Sequence, residues 1–355
     1  MSSPSEIAKV LKSVIGENDQ ETTVSQWLDT GFPPLNSAGS GSYEGAFPVG
    51  RIIEIAGPPS SGKTAIATAA MIAAQNAGGI AGFMDHERSF SMKLAANLGL
   101  DITPGRFVFK TPRTFEESIT ICVKASQIIR QNKLIPDEAP ICWVFDSLAS
   151  MVPKSALLDQ KGREKEAEDR NMNDNTALAR ATSAHLPAFT QHVEELNICA
   201  IFLNQVRTKI GVLIGDPRTT PGGDAPKFYA SQRLMLSASM IKDVKTKAVV
   251  GAEVTGVFIK NKTNRPFLRA SWRFIFQEDG TGRFDVERSL IDFLEEQGSL
   301  ESAGPGFVKW DGVRIGKEAL AKKIREEKAI NKLKALLPAH YEPPVVATVS
   351  MEDEE

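Results

Sequence analysis

Eight consecutive residues, Gly57, Pro58, Pro59, Ser60, Ser61, Gly62, Lys63 and Thr64, set two glycines around four residues and follow them with Lys-Thr. That spacing is the signature of a loop whose successive backbone N–H groups wrap a polyphosphate. The glycines supply backbone conformations and close approaches that a Cβ blocks. Lys63 reaches the β- and γ-phosphates, and the Thr64 hydroxyl ligates Mg²⁺. A helix opening there points its positive end at the anion. Residues 57 to 65, through Ala65, are therefore read as a nucleoside triphosphate site. Asp146 ends the apolar run 141–145, where a carboxylate holds Mg²⁺ through water; the alternative is a cap on the next helix. Glu87 follows the run 80–85 and has the reach to position or deprotonate water at a γ-phosphate. Asp85 is the competing base, and a plain surface role is the third reading of Glu87. Asn204-Gln205 closes another strand, where an amide can detect a γ-phosphate and pass its presence to the next loop, or simply be a polar strand end.

The elements needed to bring these residues together are legible from the pattern. Residues 51–56 read as a strand, 63–77 as an Ala-rich helix closed by Gly78-Gly79, and 80–85 as a second strand. A helix over 90–98, a short strand over 107–109 and a helix over 114–132 follow. The runs 141–145 and 198–203 are continuously apolar, as strands buried on both faces are. Between them 172–196 is helical, interrupted or restarted at Pro187. Strands alternating with helices give an α/β fold with a mostly parallel sheet covered on both faces, its ligands at the carboxyl edge. After Gln205 comes a Gly/Pro/Thr-rich loop to residue 226, then strand-like runs at 233–239, 253–260 and 271–276 that extend the same sheet antiparallel. Beyond 280 a small α+β domain holds a helix over 286–296 and a basic helix over 317–337. The stretch 31–50 is turn-rich, with Pro33, Pro34 and Pro48. The organisation expected is an N-terminal helix and linker (1–45), a core (46–279), the small domain (280–340) and an acidic, disordered tail (341–355).

Composition narrows the classes. The 355 residues carry 42 basic and 44 acidic side chains, a formal charge of −2, which excludes a uniformly basic nucleic-acid coat but not a local basic groove. No apolar run is long enough for a membrane span and no signal peptide opens the chain, so a cytoplasmic protein is expected. Cys122, Cys142 and Cys199 each sit in apolar stretches and read as small core residues in a reducing compartment. The apolar positions Ile7, Val10, Leu11, Val14 and Ile15 fit a helix that either folds back on its own domain or docks on another subunit.

At this point the residues resemble a family, the RecA-type recombinases, over roughly residues 25–335. The resemblance is carried by the segments 50–58 and 60–64, Asp85-His-Glu87, Asp146-Ser-Leu148 and 202–212. It continues through Thr219-Thr-Pro-Gly-Gly-Asp224, Lys227-Phe-Tyr-Ala-Ser231 and Lys260-Asn-Lys262. It implies a P-loop ATPase core with an N-terminal oligomerisation segment, using ATP and Mg²⁺. Glu87 would be the catalytic glutamate and Gln205 the γ-phosphate sensor, opening a second DNA-binding loop over 206–223. Lys260 and Lys262 would be supplied to the γ-phosphate of the adjacent subunit, acting as an arginine finger does. The N-terminal segment would then dock on that neighbour. Arg207, Lys209, Ile214, Arg218, Gly222 and Gly223 of this loop, and Arg180 after a first loop over 159–175, would contact DNA. Such backbone contacts are sequence-tolerant and salt-sensitive. The basic helix 317–337 suits capture of duplex DNA.

The implied activity is a DNA-dependent ATPase that forms helical filaments on single-stranded DNA and pairs it with a homologous duplex in recombination and repair. Single-stranded-DNA-binding and loader proteins are further expected partners, and the implied place is the nucleoid, or host cytoplasm for a viral member. Departures from the family pattern point to a divergent member, with a viral source as one expectation. Pro59 replaces an acidic residue, Leu94 an aromatic expected on adenine, Ile214 an aromatic and Asp224 an amide, and the first loop carries a charged insert with more acid than base. Two alternatives stay open: a RecA-fold hexameric DNA motor, which would use an arginine finger, and a weakly hydrolysing filament scaffold.

Overall fold

The computed structural model of the chain describes residues 23–159, 161–166, 176–208 and 218–339. The helical pattern at Ile7–Ile15, Lys209, Ile214 and the acidic tail lie outside the described residues.

Strands β1 (Trp27–Leu28) and β2 (Phe47–Pro48) form a small antiparallel pair. Then come β3 (Arg51–Gly57), β4 (Ile80–Asp85), β5 (Phe107–Lys110), β6 (Ile141–Asp146) and β7 (Ile198–Gln205). Two-residue strands β8 (Arg207–Thr208) and β9 (Arg218–Thr219) pair with each other. Next are β10 (Gln232–Lys242), β11 (Val249–Asn261), β12 (Arg269–Phe276) and β13 (Gly282–Phe284). The hairpin β14 (Phe307–Trp310) and β15 (Val313–Gly316) comes last. Nine strands form one sheet in the order β13-β12-β11-β10-β3-β7-β6-β4-β5. Pairing is parallel from β10 to β5 and antiparallel from β10 to β13, as the sequence pattern predicts.

Alternation within the buried strands divides the core into two layers. Ile53, Ile55, Cys142, Val144, Ile201 and Leu203 face one side, with Leu28, Leu35, Phe47, Ile66 and Met71. Ile52, Trp143, Phe145, Ala200 and Phe202 face the other, under helices Phe115–Gln131 and Ala177–Glu195. All three cysteines are buried and free, as core residues. Residues 286–337 have a core of their own around Leu290, Leu294, Val308, Leu320 and Ile324. It is fastened to β12 by the Arg273–Glu318 ion pair. Among the described residues, no helix is long and apolar enough to cross a membrane.

Several local expectations are corrected. The turn-rich stretch contains a buried helix, Pro33–Ser40, opened by the two prolines at its first positions and closed by Gly41 in the left-handed region. Pro187 does not interrupt its helix. The carbonyl it orphans belongs to Ser183, an exposed residue, on the solvent side of the helix. The basic C-terminal helix is two, Lys317–Glu326 and Ile330–Lys334, separated at Lys328, which takes a positive φ of 53°.

Packing is close across β4 and β6, where Gly82 lies opposite Trp143. A Cβ on Gly82 would stand 2.1 Å from the Trp143 ring. Gly82→Ala is therefore expected to cost about 1–3 kcal/mol by overpacking, read as a lowered urea midpoint.

Candidate functional site

The parallel register delivers the chemistry to one sheet edge. Gly57 pairs with Gln205 across β3 and β7, and Asp85 with Asp146 across β4 and β6. The loop after Gly57 turns into helix Lys63–Asn76 through Gly62, at φ 86°, and no side chain caps that helix. Its neighbours differ: Ser91 and Thr114 bond the first-turn N–H groups of their own helices. The N–H groups after Gly62 thus remain to be met by an anion. A Cβ on Gly57 would stand 2.5 Å from Ser61 Oγ and 2.9 Å from the Leu236 carbonyl, so only glycine fits. Ser61 Oγ is buried and has no hydrogen-bond partner in the protein, which suits a loop built around phosphate oxygens. Pro58, Pro59 and Ser60 are exposed at the loop's outer turn, and Ala65 lies in the first helical turn.

Lys63 Nζ donates to the carbonyls of Gly57 at 3.0 Å and Pro58 at 2.9 Å. Burial lowers its pKa, opposed by the Asp146 and Glu87 carboxylates. Thr64 Oγ1 donates to Asp146 Oδ2 at 3.2 Å, so hydroxyl and carboxylate stand together as Mg²⁺ binding requires. Among the described residues no cluster of three or more His, Cys, Asp or Glu could hold a metal alone; Mg²⁺ would complete its shell with phosphate oxygens and water.

Asp85 accepts backbone N–H groups from Ser89 and Phe90 and so shapes the turn after β4. Glu87 stands free of that duty. Its Oε1 accepts from Ser147 Oγ at 2.6 Å and from Gln205 Nε2 at 2.7 Å. The same turn is tied down by the Asp146 carbonyl, which accepts from the N–H groups of His86 and Glu87. The His86 ring meets Ser118 Oγ at 2.6 Å; burial, then Arg88, push its pKa down to about 4, so it is neutral at pH 7.

Asn204 governs the loop behind Gln205. Its Nδ2 donates to Glu54 Oε1 at 2.8 Å and to the Pro221 carbonyl at 3.0 Å, and its Oδ1 accepts the Gln205 N–H. Glu54, fully buried, also pairs with Arg233 at 2.5 Å. The far end of the loop is held by Thr182 Oγ1, which donates to the Gly222 carbonyl at 2.8 Å. Gly222 and Gly223 both take positive φ and pack on Leu148 and Ala179. Arg207 and Arg180 are both exposed, and the backbone of Arg218 pairs with Thr208 in the stem formed by β8 and β9.

Lys260 and Lys262 stand elsewhere. Lys260 pairs with Arg233 at the level of Glu54, and Lys262 donates its N–H to Ser231, which bonds Ile52. Lys262 is thus five residues, about 16 Å along the strands, from the Gly57 edge. Lys260 Nζ donates to the carbonyls of Lys227 and Phe228, and both ammonium groups lie over the Phe228 ring at 5.9 and 5.3 Å. Burial, then Lys262 and Arg233, push the Lys260 pKa down to about 8.

Three contributors were missed in the sequence. Ser147 and the Glu54–Arg233 pair act across long sequence separations that no local pattern reports. Phe276, about half exposed, ends β12 beside the turn at Gln277 that Asn97 bonds from helix Met92–Leu98. An apolar ring left exposed at a strand end was its available signal. Of the seven basic residues in 317–334, Lys317 and Arg325 are engaged by Asp292, Glu295, Asp285 and Glu287, so the helix is less basic outward than its sequence.

Comparison with known proteins gives the family. The RecA N-terminal domain family model matches residues 8–281. Protein RecA of Chloroherpeton thalassium is 36% identical over 310 residues, covering 85% of this chain and 80% of that one. Protein RecA of Bacteroides thetaiotaomicron is 34% identical over 316 residues, covering 88% and 86%. Protein RecA 2 of Myxococcus xanthus is 35% identical over 291 residues, covering 81% and 74%. The chain belongs to the RecA family. It is an ATP-binding recombinase of that family, and an ATPase.

Burial pushes the Asp146 carboxyl up to about 7, with the Glu87 carboxylate adding to the rise and the Thr64 bond opposing it. Its folded pKa lies above the unfolded value of 3.8, so the stability it contributes is full below that value and lost as pH rises toward 7. Asp146→Asn is accordingly expected to raise the melting temperature of the Mg²⁺-free protein at pH 7.5, with the gain vanishing near pH 4.

Proposed function

We propose that this ATPase is completed by assembly: each P-loop site receives Lys260 and Lys262 from a neighbouring copy in a helical filament on single-stranded DNA. The observation that carries this reading is the separation just described. The P-loop, Asp146, Glu87 and Gln205 share one edge of the sheet, while Lys260 sits two strands away at the level of Glu54, midway along β3, and Lys262 near the level of its opposite end. Within one chain the two sets do not meet. Two copies stacked head to tail bring them together, and such a heterologous contact that does not close generates a helical filament.

In the assembled site Lys63, the N–H groups after Gly62 and the two lysines hold the triphosphate and offset the charge that develops on it. Mg²⁺ between Thr64 and Asp146 would polarise the phosphoryl oxygens. Glu87 takes the proton of the attacking water, and Phe276 offers a face for the base, compensating for Leu94. Gln205 exchanges its bond to Glu87 for the γ-phosphate. That exchange reaches the loop through Asn204, whose side chain bonds both Gln205 and Pro221. Arg207 and Arg218 flank the loop, Gly222 and Gly223 close it, and Arg180 lies on the adjoining helix, so these residues would grip the DNA backbone. Lys209 and Ile214, between Arg207 and Arg218 in the sequence, would share that role. Specificity for a homologous duplex then comes from base pairing rather than from side chains. Single-stranded-DNA-binding and loader proteins would act on such a filament, which belongs at the nucleoid in the cytoplasm.

Turnover is expected to rise strongly with single-stranded DNA and cooperatively with protein concentration. Glu87→Gln should lower it at least about a hundredfold while filaments on DNA persist in ATP. Phosphate release and electron microscopy of the same samples check both. DNA-independent turnover without cooperativity contradicts the reading.

A further inference from the structure

Ser147 follows the strand-end residue Asp146, and its side chain is fully buried. A serine hydroxyl has one proton to donate. Here it goes to Glu87 Oε1 at 2.6 Å, so the 3.2 Å contact between the Ser147 and Ser150 hydroxyls runs from Ser150 to Ser147. Gln205 Nε2 donates to the same Oε1 at 2.7 Å, and Oε2 takes no hydrogen bond among the described residues.

We propose that Ser147 is a positioning residue for ATP hydrolysis: its hydroxyl holds Glu87 by Oε1 and leaves Oε2 to act on water. The proposal rests on the reading of Glu87 as the group that takes the proton from water. The two donors to Oε1 are not equivalent. Gln205 is half-buried at the mouth of a loop, and a γ-phosphate oxygen competes for its amide. Ser147 has no such competitor. It is enclosed, its carbonyl accepts the Ser150 N–H at 2.9 Å, and the peptide before it is bound to the Glu87 N–H at 3.1 Å. When the amide turns to phosphate, the serine alone keeps the carboxylate in register. The need is electrostatic as well as geometric. Glu87 shares this edge with Asp85 and Asp146, and like charges drive an untethered carboxylate outward. A hydroxyl donor opposes that drift and does so only for the carboxylate, since a protonated acid has less call on it.

A positioning role differs from a binding or packing role in what it moves. Among the described residues Ser147 makes no hydrogen bond to Lys63 or Thr64, so losing it should leave nucleotide binding intact and degrade the step in which water is activated. The test uses the full chain with single-stranded DNA and saturating Mg²⁺. Ser147→Ala is expected to lower kcat at least about tenfold, as a misplaced reacting group does. KM for ATP and the affinity for a fluorescent ATP analogue should stay within about twofold. Ser147→Thr, which keeps the hydroxyl, should recover most of the loss. Ser150→Ala, which removes only the donor behind Ser147, should cost about threefold. Glu87→Gln is measured alongside. An inactive Glu87→Gln beside a Ser147→Ala of unchanged kcat, or one raised only in KM, overturns the proposal and leaves the Glu87 reading standing. An active Glu87→Gln overturns that reading instead, and the proposal with it. If Ser147→Ala fails to bind the analogue, the decision passes to Ser150→Ala, where an unchanged kcat overturns the proposal.

Discussion

A carboxylate at the centre of a sheet must be neutralised where it stands, because burying it unpaired costs far more than a domain's net stability allows. Glu54 is that carboxylate, one residue of the strand that leads to the P-loop. Its two oxygens are met by Arg233 from β10 and Asn204 from β7, the strands on either side. The requirement therefore fixes three strands in one register. Asn204 then has a carbonyl oxygen left for the Gln205 N–H and a second amide proton for Pro221. Both ends of the loop beyond Gln205 inherit their positions from this one neutralisation. Arg233 in turn is the cross-strand partner of Lys260, so the same charge pair stands beside the lysines.

The arrangement explains why nucleotide and loop can respond together. Gln205 is held by Glu87 through its side chain and by Asn204 through its backbone. In the proposed reading, a change at the phosphate would arrive at a residue already bonded to both Glu87 and the loop base. The lysines are poised differently. Lys260 is bound to carbonyls at the end of helix Ala225–Tyr229 and its pKa is pushed down to about 8 by burial and by its cationic neighbours. A polyphosphate brought near would raise that pKa and keep the ammonium charged, which would favour an interface formed with ATP present.

Much of this was legible in the sequence, for reasons that differ by element. β4, β6 and β7 are short apolar runs ending in polar residues, and each such ending, Asp85, Asp146 and Gln205, lies at the edge of the proposed site. The P-loop is legible because its backbone conformations restrict the residue types that can occupy it. Helix Pro33–Ser40 was hidden because prolines and glycines at its two ends are the same residues that mark turns. The split at Lys328 was hidden because a lysine in the left-handed region carries no compositional mark. Glu54, Arg233 and Ser147 were hidden because their partners lie far away in the chain, where only the sheet order brings them together. The resemblance to recombinases supplied the roles of Lys260 and Lys262, which neither periodicity nor spacing could.

The central claim, that the site is shared between copies, is tested most directly by mixing two inactive proteins. Lys63→Ala disables the P-loop but keeps both interface lysines, and Lys260→Ala/Lys262→Ala disables the lysines but keeps the P-loop. Each alone should be silent on single-stranded DNA. An equimolar mixture should recover up to about one quarter of wild-type ATP turnover, the fraction of contacts at which an intact P-loop meets an intact lysine pair. A mixture as silent as its components, with mixed filaments seen to form, would contradict the account.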